Sequence, residues 1–262
     1  MAAATIGLIH PGEMGAAVGA ALLGRRERVL WASAGRSAET RSRAVEAGLE
    51  DAGSVEELIR ESDVIFSICP PHAALEVAGA VAGFRGVFVD ANAIAPATAR
   101  EVAAVIAAGG GESVDGGIVG PPPHADGTTR LYLSGAEAES IGGLFAGSAV
   151  DARVLAGGVG MASALKIAYA AWTKGTAALL LAVGELARAE GVETTLHEEW
   201  RLSLPELPER SQRAARSAQA KGWRWVGEME EIAATFDAAG LPDGFHRAAA
   251  EVFRTSVGSR AQ

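Results

Sequence analysis

The residue pattern predicts an α/β fold with an all-α extension: a doubly wound parallel sheet over residues 1–156, then a helical domain over residues 157–262. Short apolar runs alternate with helix-like segments up to about residue 150, and after Gly160 no strand-like run remains. At the N-terminus an apolar run, a glycine turn and a small-residue helix follow one another directly.

Ile6–Ile9 is the first strand and stops at His10-Pro11-Gly12; Met14–Leu23 continues in small and apolar residues at helical spacing. Arg28–Ala32 is the second strand. Ser54, three residues before Glu57, has the form of a capping box and opens a helix. Asp63–Cys69 is an apolar strand stopped by Pro70-Pro71. Gly86–Ala91 is another, and Pro96 suits the first turn of the helix after it. Glu112–Asp115, Leu131–Ser134 and Val150–Leu155 are shorter strands, and the Gly- and Pro-rich Gly116–Pro123 is a loop at the sheet's end. Alternating strands and helices imply parallel pairing with helices on both faces. Met161–Glu190 is helical, free of proline and apolar nearly all round, which predicts a long interdomain helix buried on every side. Helices over Thr195–Leu202, Pro205–Ala220, Arg224–Ala239 and Pro242–Val257 follow, with Gly191, Gly222 and Gly240 at their ends.

Composition narrows the function classes. A hydrophobic content of 49% over 262 residues supports one large core or two modest ones. A net charge of −9 opposes nucleic acid and anionic membrane as partners. A single cysteine, Cys69, precludes an intramolecular disulfide. The opening MAAATIGLI lacks a basic segment and runs straight into the first strand, so no signal peptide is expected. Lys166, Lys174, Glu185 and Arg188 interrupt the long apolar helix, which reads as a core helix rather than a membrane span. A cytoplasmic protein follows. A helix apolar all round needs more cover than a hundred-residue domain readily supplies, so a homodimer is expected. His10, His72 and His124 match no zinc spacing, and no metal is expected.

The first turn carries the chemistry. Dinucleotide-binding folds of Rossmann type place Gly-x-Gly-x-x-Gly between the first strand and its helix, where backbone meets pyrophosphate. Here the turn reads His10-x-Gly12-x-x-Gly15, so His10, Pro11, Gly12, Glu13, Met14 and Gly15 are the expected cofactor contacts. The end of the second strand selects the ribose: a carboxylate there suits NAD, an arginine suits the 2′-phosphate of NADP. No carboxylate appears before Glu39, while Arg36, Arg41 and Arg43 cluster nearby. NADP is therefore expected, with Ser33, Arg36 and Ser37 around its 2′-phosphate.

Further segments line up with one family in order and spacing. Gly7 to Gly15 stands where that family reads G-x-I-G-x-G-x-M-G, and Cys69-Pro70 where it has a leucine-proline pair. Asp90-Ala91-Asn92-Ala93-Ile94-Ala95-Pro96 matches D-x-S-T-x-x-P, and Asp115 to Pro121 matches D-A-P-V-S-G-G. Gly160 to Ala170 matches G-x-G-x-x-x-K-x-x-N-N around Lys166. The chain resembles the β-hydroxyacid dehydrogenases, relatives of 6-phosphogluconate dehydrogenase that include 3-hydroxyisobutyrate dehydrogenase. Its C-terminal part looks like that of a less-studied branch with a short all-helical domain. The resemblance implies an NADP-dependent oxidoreductase acting on a small hydroxy acid or related carbonyl. Lys166 would be the general acid and base, and Cys69, Pro70 and Asn92 would lie against the cofactor. Asn92, Gly117, Ile118, Val119 and Gly120 would line the substrate. The family's loop serine is Val119 here, and Tyr169 and Ala170 replace its two asparagines.

Lys166 sits among Ala162, Ala164, Leu165, Ile167 and Ala168. An ammonium there must face a cleft or a partner, or snorkel to solvent. In a cleft, with its pKa lowered by burial, it can take and return the hydroxyl proton. Tyr169 and Thr173, three and seven residues on, share its helical face and are further catalytic and substrate candidates; Lys174 is turned away. An imine reductase on the same fold, with Tyr169 assisting, and a non-catalytic NADP-binding sensor are the alternatives.

Overall fold

Strand Thr5–Leu8 (β1) is the centre from which a sheet grows in both directions. The computed structural model describes residues 4–24 and 28–258; residues 1–3, which open the segment read above for a leader, lie outside them. After β1 come Glu13–Leu23 (α1), Arg28–Trp31 (β2), Ala38–Glu46 (α2), Glu50–Asp51 (β3), Val55–Glu61 (α3) and Val64–Ser67 (β4). A 3-10 turn at Pro71–Ala73 leads into Ala74–Ala80 (α4), Val87–Asp90 (β5), Pro96–Ala108 (α5) and Glu112–Val119 (β6). Thr129–Ser134 (β7), Ala138–Gly143 (α6) and Val150–Val154 (β8) complete the sheet. Met161–Ala189 (α7), Glu193–Ser203 (α8), Leu207–Ala238 (α9) and Gly244–Gly258 (α10) follow. The chain divides into two compact units, one ending at Lys166 and the other starting at Ile167, so the division falls inside α7.

The strand order is β3-β2-β1-β4-β5-β6-β7-β8. The Rossmann-like, mostly parallel sheet expected from the sequence is present, with all pairs parallel except β6–β7. That pair is antiparallel because the connection from Val119 to Thr129 is too short for a crossover, which takes a dozen or more residues. Strand side chains alternate between two buried faces: Ile6, Leu8, Val29, Trp31, Val64 and Phe66 pack on one side, Ile65 and Phe88 on the other. Helices α2 and α3 start where serines cap them: Ser37 Oγ accepts from Thr40 N and Ser54 Oγ from Glu57 N, both at 3.2 Å.

Three expectations are corrected. Gly116–Pro123 is not a loop throughout, because β6 continues to Val119. Its glycines belong to the strand for a steric reason: a Cβ on Gly117 would lie 2.8 Å from the Ala162 carbonyl oxygen and 3.1 Å from Lys166 Cβ. The two helices expected over 205–220 and 224–239 are one, α9, with Gly222 buried inside it. Ala214, Ala218 and Gly222 form a buried stripe at four-residue intervals, so the glycine extends a packing face instead of ending the helix. Helix α7 is not covered on every side. Ile167, Ala170 and Ala178 are buried, but Tyr169, Trp172, Leu179 and Leu186 are exposed, Trp172 by 66%. By length and composition alone α7 is long and apolar enough to cross a membrane; its buried side enters a core with Met229, Ile232 and Phe253.

The start of α7 is held by a buried carboxylate from β6. Asp115 Oδ2 accepts from Gly160 N and Ser163 N, each at 2.9 Å, and from Ser134 Oγ at 3.1 Å; Oδ1 accepts from Ser163 Oγ at 2.5 Å. Ser134 Oγ accepts in turn from Ala162 N at 3.1 Å. The first-turn amides of α7, which have no partner within the helix, are thus satisfied, and a negative charge stands at the positive end of its dipole. Gly160, at φ 105°, supplies the left-handed turn that leads into this cap. Asp115→Ala leaves several of these donors buried and unmet; we expect a loss of about 2–4 kcal/mol in urea unfolding followed by circular dichroism. A stability within ~0.5 kcal/mol of the parent would show that the cap is dispensable.

Candidate active site

The strand order reverses direction at β1, with β2 on one side and β4 on the other. The crevice outside the carboxyl ends of such strands is where this architecture binds ligands. The turn after β1 lies there. Ile9 N donates to the Phe66 carbonyl at 3.2 Å, and Gly12 N closes the turn onto the His10 carbonyl at 2.9 Å. The glycines at 12 and 15 serve different ends. A Cβ on Gly15 would come within 2.3 Å of the His10 carbonyl oxygen, so only glycine lets α1 pack on the turn. A Cβ on Gly12 would meet nothing within 4 Å, and Gly12 is exposed. Gly12 is the N-cap of α1 and brings no side-chain cap, which leaves an open, amide-rich helix start. That is the shape and polarity a pyrophosphate needs. Pro11 is buried, Glu13 exposed and Met14 half-buried along the same turn.

Arg36 reaches across this turn. One guanidinium nitrogen donates to the Ile9 carbonyl at 3.4 Å, while its Nε is buried without a hydrogen-bond partner among the described residues. His10 Nδ1 is likewise buried and unmet. Burial, then the neighbouring Arg36 charge, pushes the His10 imidazole down to about 4, so it is neutral at physiological pH. Two unmet nitrogens beside an open helix start fit a phosphate-bearing cofactor. The other two arginines of the cluster are loop ties. Arg41 donates to the Ser33 and Arg36 carbonyls at 3.0 and 3.3 Å, and Arg43 to the Pro11 carbonyl at 3.3 Å. Ser33 is buried, and the Ser37 hydroxyl is engaged in capping α2.

A second cluster joins the ends of β4 and β5. Asn92 is buried: its Oδ1 accepts from Cys69 N at 2.6 Å, and its Nδ2 donates to Ser67 Oγ at 3.1 Å and Asp90 Oδ2 at 2.9 Å. Both amide hydrogens are thereby used, so Asn92 shapes the strand ends, including the backbone leading to Pro70. Asp90 also accepts from Asn92 N at 3.0 Å. Burial pushes the Asp90 carboxyl up to about 7 against the hydrogen bonds from Asn92 that favour its charge, and Asp115 adds repulsion. Burial also lifts the Cys69 thiol to about 11, leaving it protonated and unreactive.

Lys166 stands one turn into α7. Its Nζ donates to the Ile118 carbonyl at 2.7 Å, near the carboxyl end of β6. Gly117 permits this approach, since its missing side chain makes room for Lys166 Cβ. Of the other substrate candidates, Val119 is buried, and Gly120 is at a turn with φ 124°. Farther along α7, Tyr169 is half-exposed, and the Thr173 hydroxyl donates to the Tyr169 carbonyl at 3.1 Å. Lys174 forms a largely buried ion pair with Glu228 of α9. That pair escaped the sequence reading; the signal for it was a lysine on an apolar helix, which requires a partner when buried.

The fold is shared with known proteins. Residues 5–144 match the family model described as the NAD binding domain of 6-phosphogluconate dehydrogenase, and residues 187–256 match a domain of unknown function, DUF1932. No curated protein matches the chain. Among solved structures, the conserved protein MTH1747, of unknown function and structurally similar to 3-hydroxyacid dehydrogenases, is 27% identical, with a TM-score of 0.71 over 98% of each chain. Mycobacterium tuberculosis 3-hydroxyisobutyrate dehydrogenase, solved with L-serine, is 17% identical, with a TM-score of 0.74 over 99% of this chain and 95% of that one. The reductive aminase from Aspergillus terreus, solved with NADPH and ethyl-5-oxohexanoate, is 19% identical, with a TM-score of 0.62 over 98% and 95%.

The Asp90 carboxyl generates a prediction with a defined sign. Its folded pKa, about 7, exceeds its unfolded value of 3.8. Between these values the unfolded chain holds fewer protons at this site than the folded one. The stability contributed by Asp90 is therefore complete below pH ~4 and is lost as pH rises through about 7. Asp90→Asn removes this slope, so the difference in Tm between variant and parent should move in the variant's favour from pH 4.5 to 7.5. A pH-independent difference would place the carboxyl at an ordinary pKa.

Proposed function

The chain belongs to the family of the NAD binding domain of 6-phosphogluconate dehydrogenase, and from that premise we propose that it is an NADP-dependent oxidoreductase acting on a small hydroxy acid or related carbonyl. The observation that carries the reading is Lys166, tied at 2.7 Å to the Ile118 carbonyl at a strand's carboxyl end, in a unit whose first turn is built for a dinucleotide. Gly12, Glu13, Met14 and the open start of α1 hold the pyrophosphate. Arg36 and His10, each with an unmet buried nitrogen, meet phosphate oxygens; the preference for the 2′-phosphate rests on Arg36 and the lack of a carboxylate between Trp31 and Glu39. When bound, the nicotinamide accepts or donates the hydride. Lys166 Nζ takes the hydroxyl proton in oxidation and returns it in reduction. The Ile118 carbonyl aims the amine, and the Asp115 cap fixes the helix turn that carries it. Asn92 holds the β4 and β5 ends that wall the site.

Tyr169, in place of the family's asparagine, favours a second reading on the same fold, reduction of a C=N bond with the phenol assisting. One set of kinetic measurements decides among these. The parent should bind NADPH at least ~10-fold more tightly than NADH, and Arg36→Ala should remove most of that margin. Lys166→Ala should lower kcat on 3-hydroxyacids by roughly 10²-fold or more with NADPH affinity intact. Equal affinity for both cofactors rejects the NADP assignment, and unchanged turnover rejects the role of Lys166. Faster turnover of cyclic imines than of 3-hydroxyacids selects the second reading.

We also propose a homodimer. Leu179 and Leu186 stand seven residues apart along α7 and are exposed in the single chain, forming an apolar stripe beyond Trp172 that a second copy would cover. Light scattering should give about twice the chain mass of 26.7 kDa. A monomer at micromolar concentration would exclude it.

A further inference from the structure

The C-terminal unit has a cleft of its own, of about 310 Å³, between α7 and the N-terminal half of α9. Small-molecule sites run from about 300 to 1,000 Å³, so this one suits a compact ligand. Trp172, Thr176, Arg210, Arg213, Ser217 and Trp225 supply its polar and aromatic lining, and no carboxylate among the described residues lines it. On α9 the arginines and Ser217 follow i, i+3, i+7 spacing, so all three present one face to the cleft. Trp172 stands where the exposed stripe of α7 borders it.

Charge makes the cleft specific. The chain carries −9 overall, yet two guanidiniums meet here. Among the described residues Arg213 pairs only with Glu209, one turn back and 77% exposed, a bond of small worth in water. Arg210 is half-buried and its guanidinium has no hydrogen bond or ion pair among the described residues. It is the fourth residue of α9, at the end of the helix whose dipole disfavours a cation, so helix energetics do not account for an arginine there. An oxyanion in the cleft does: the planar donors of Arg210 and Arg213 match its oxygens. The tryptophans supply the other half of a binding site. Trp225 is held edge-on to Phe253 with ring centroids 5.1 Å apart, and Trp172 offers an exposed indole. A flat apolar body can pack on both.

We propose that this cleft binds a small organic oxyanion, an aromatic or apolar body bearing a carboxylate or phosphate group, as a ligand site built wholly from residues of the C-terminal unit. The site needs no cofactor, although Thr173, one of the substrate candidates on α7, also lines it. The test is calorimetric titration of the full chain, without nucleotide, using phenyl phosphate, benzoate and, as neutral control, phenol. Phenyl phosphate or benzoate should saturate with a Kd below about 1 mM, quench tryptophan fluorescence, and weaken as salt rises. Phenol should bind at least ~10-fold more weakly. Arg210→Ala with Arg213→Ala should lower the anion's affinity ~10-fold or more at unchanged circular dichroism. Arg216→Ala, on α9 but outside the cleft lining, and Arg36→Ala, at the nucleotide turn, should leave it unaltered. Binding of either anion, rather than both, identifies the preferred head group and supports the site. No saturation by either anion, equal binding of phenol, indifference to the double variant, or loss through Arg216→Ala or Arg36→Ala would each overturn the proposal. The last would place the anion at the nucleotide turn, an outcome that leaves the oxidoreductase reading standing.

Discussion

The Asp115 carboxylate at the head of α7 is the interaction on which the rest of the first unit depends. It is buried and takes hydrogen bonds from two backbone amides and two serine hydroxyls. A charge so far from water is tolerated because every donor around it is aimed at it and because it faces the positive end of a 29-residue helix. The cap sets where α7 begins, and hence where Lys166 stands three residues beyond Ser163. Gly117, on the same strand as Asp115, lets the helix come close enough for the lysine to reach the Ile118 carbonyl. A strand that anchors a helix by one residue, makes room for it at another and orients its lysine by a third is a compact way of fixing a lysine at a strand end.

The nucleotide turn is organised on a related principle, with guanidinium groups holding backbone carbonyls. Arg43 ties Pro11, Arg41 ties Ser33 and Arg36, and Arg36 reaches Ile9. Loops so tied present their amides in a preset arrangement, which spares a ligand the ordering cost on binding. His10 stands where related turns have glycine. It is accommodated because the clash that matters falls at Gly15, against the His10 backbone carbonyl, and not at its side chain. The imidazole is kept neutral, so its unmet Nδ1 does not add a second positive charge to Arg36.

The C-terminal unit follows another logic. Its core is small-residue packing along α9 and α7, joined by Phe253, Met229 and Ile232. The Lys174–Glu228 pair stands inside it, with both side chains nearly out of water. Such a pair adds little net stability over apolar residues, but breaking it strands a buried charge, which makes it a registration device between the two helices. The same helices expose apolar and cationic surface elsewhere along their length, at Trp172, Leu179, Leu186 and Arg213.

Much of this architecture was readable from neighbouring residues. Period-two and helical patterns located most of the strands and the long helix, Ser54 marked a cap, and the spacing of Gly12 and Gly15 marked the turn. These features are local, set by residues within a turn or two of one another, and local chemistry encodes them. What escaped was decided by partners far along the chain. Gly116 and Gly117 read as loop until Ala91, Ala162 and Lys166 are seen pressing on them. Gly222 reads as a helix end until its packing stripe is seen. Arg41, Arg43 and Asn92 gave no sign in the sequence of the hydrogen bonds by which they hold loops and strand ends. Asp115 read as the end of a strand and the head of a loop motif but not as a helix cap, because its hydrogen-bond donors come from residues up to 48 positions away. A polar group satisfies itself with whatever the fold brings within 3 Å or so, and only the tertiary structure settles which groups those are.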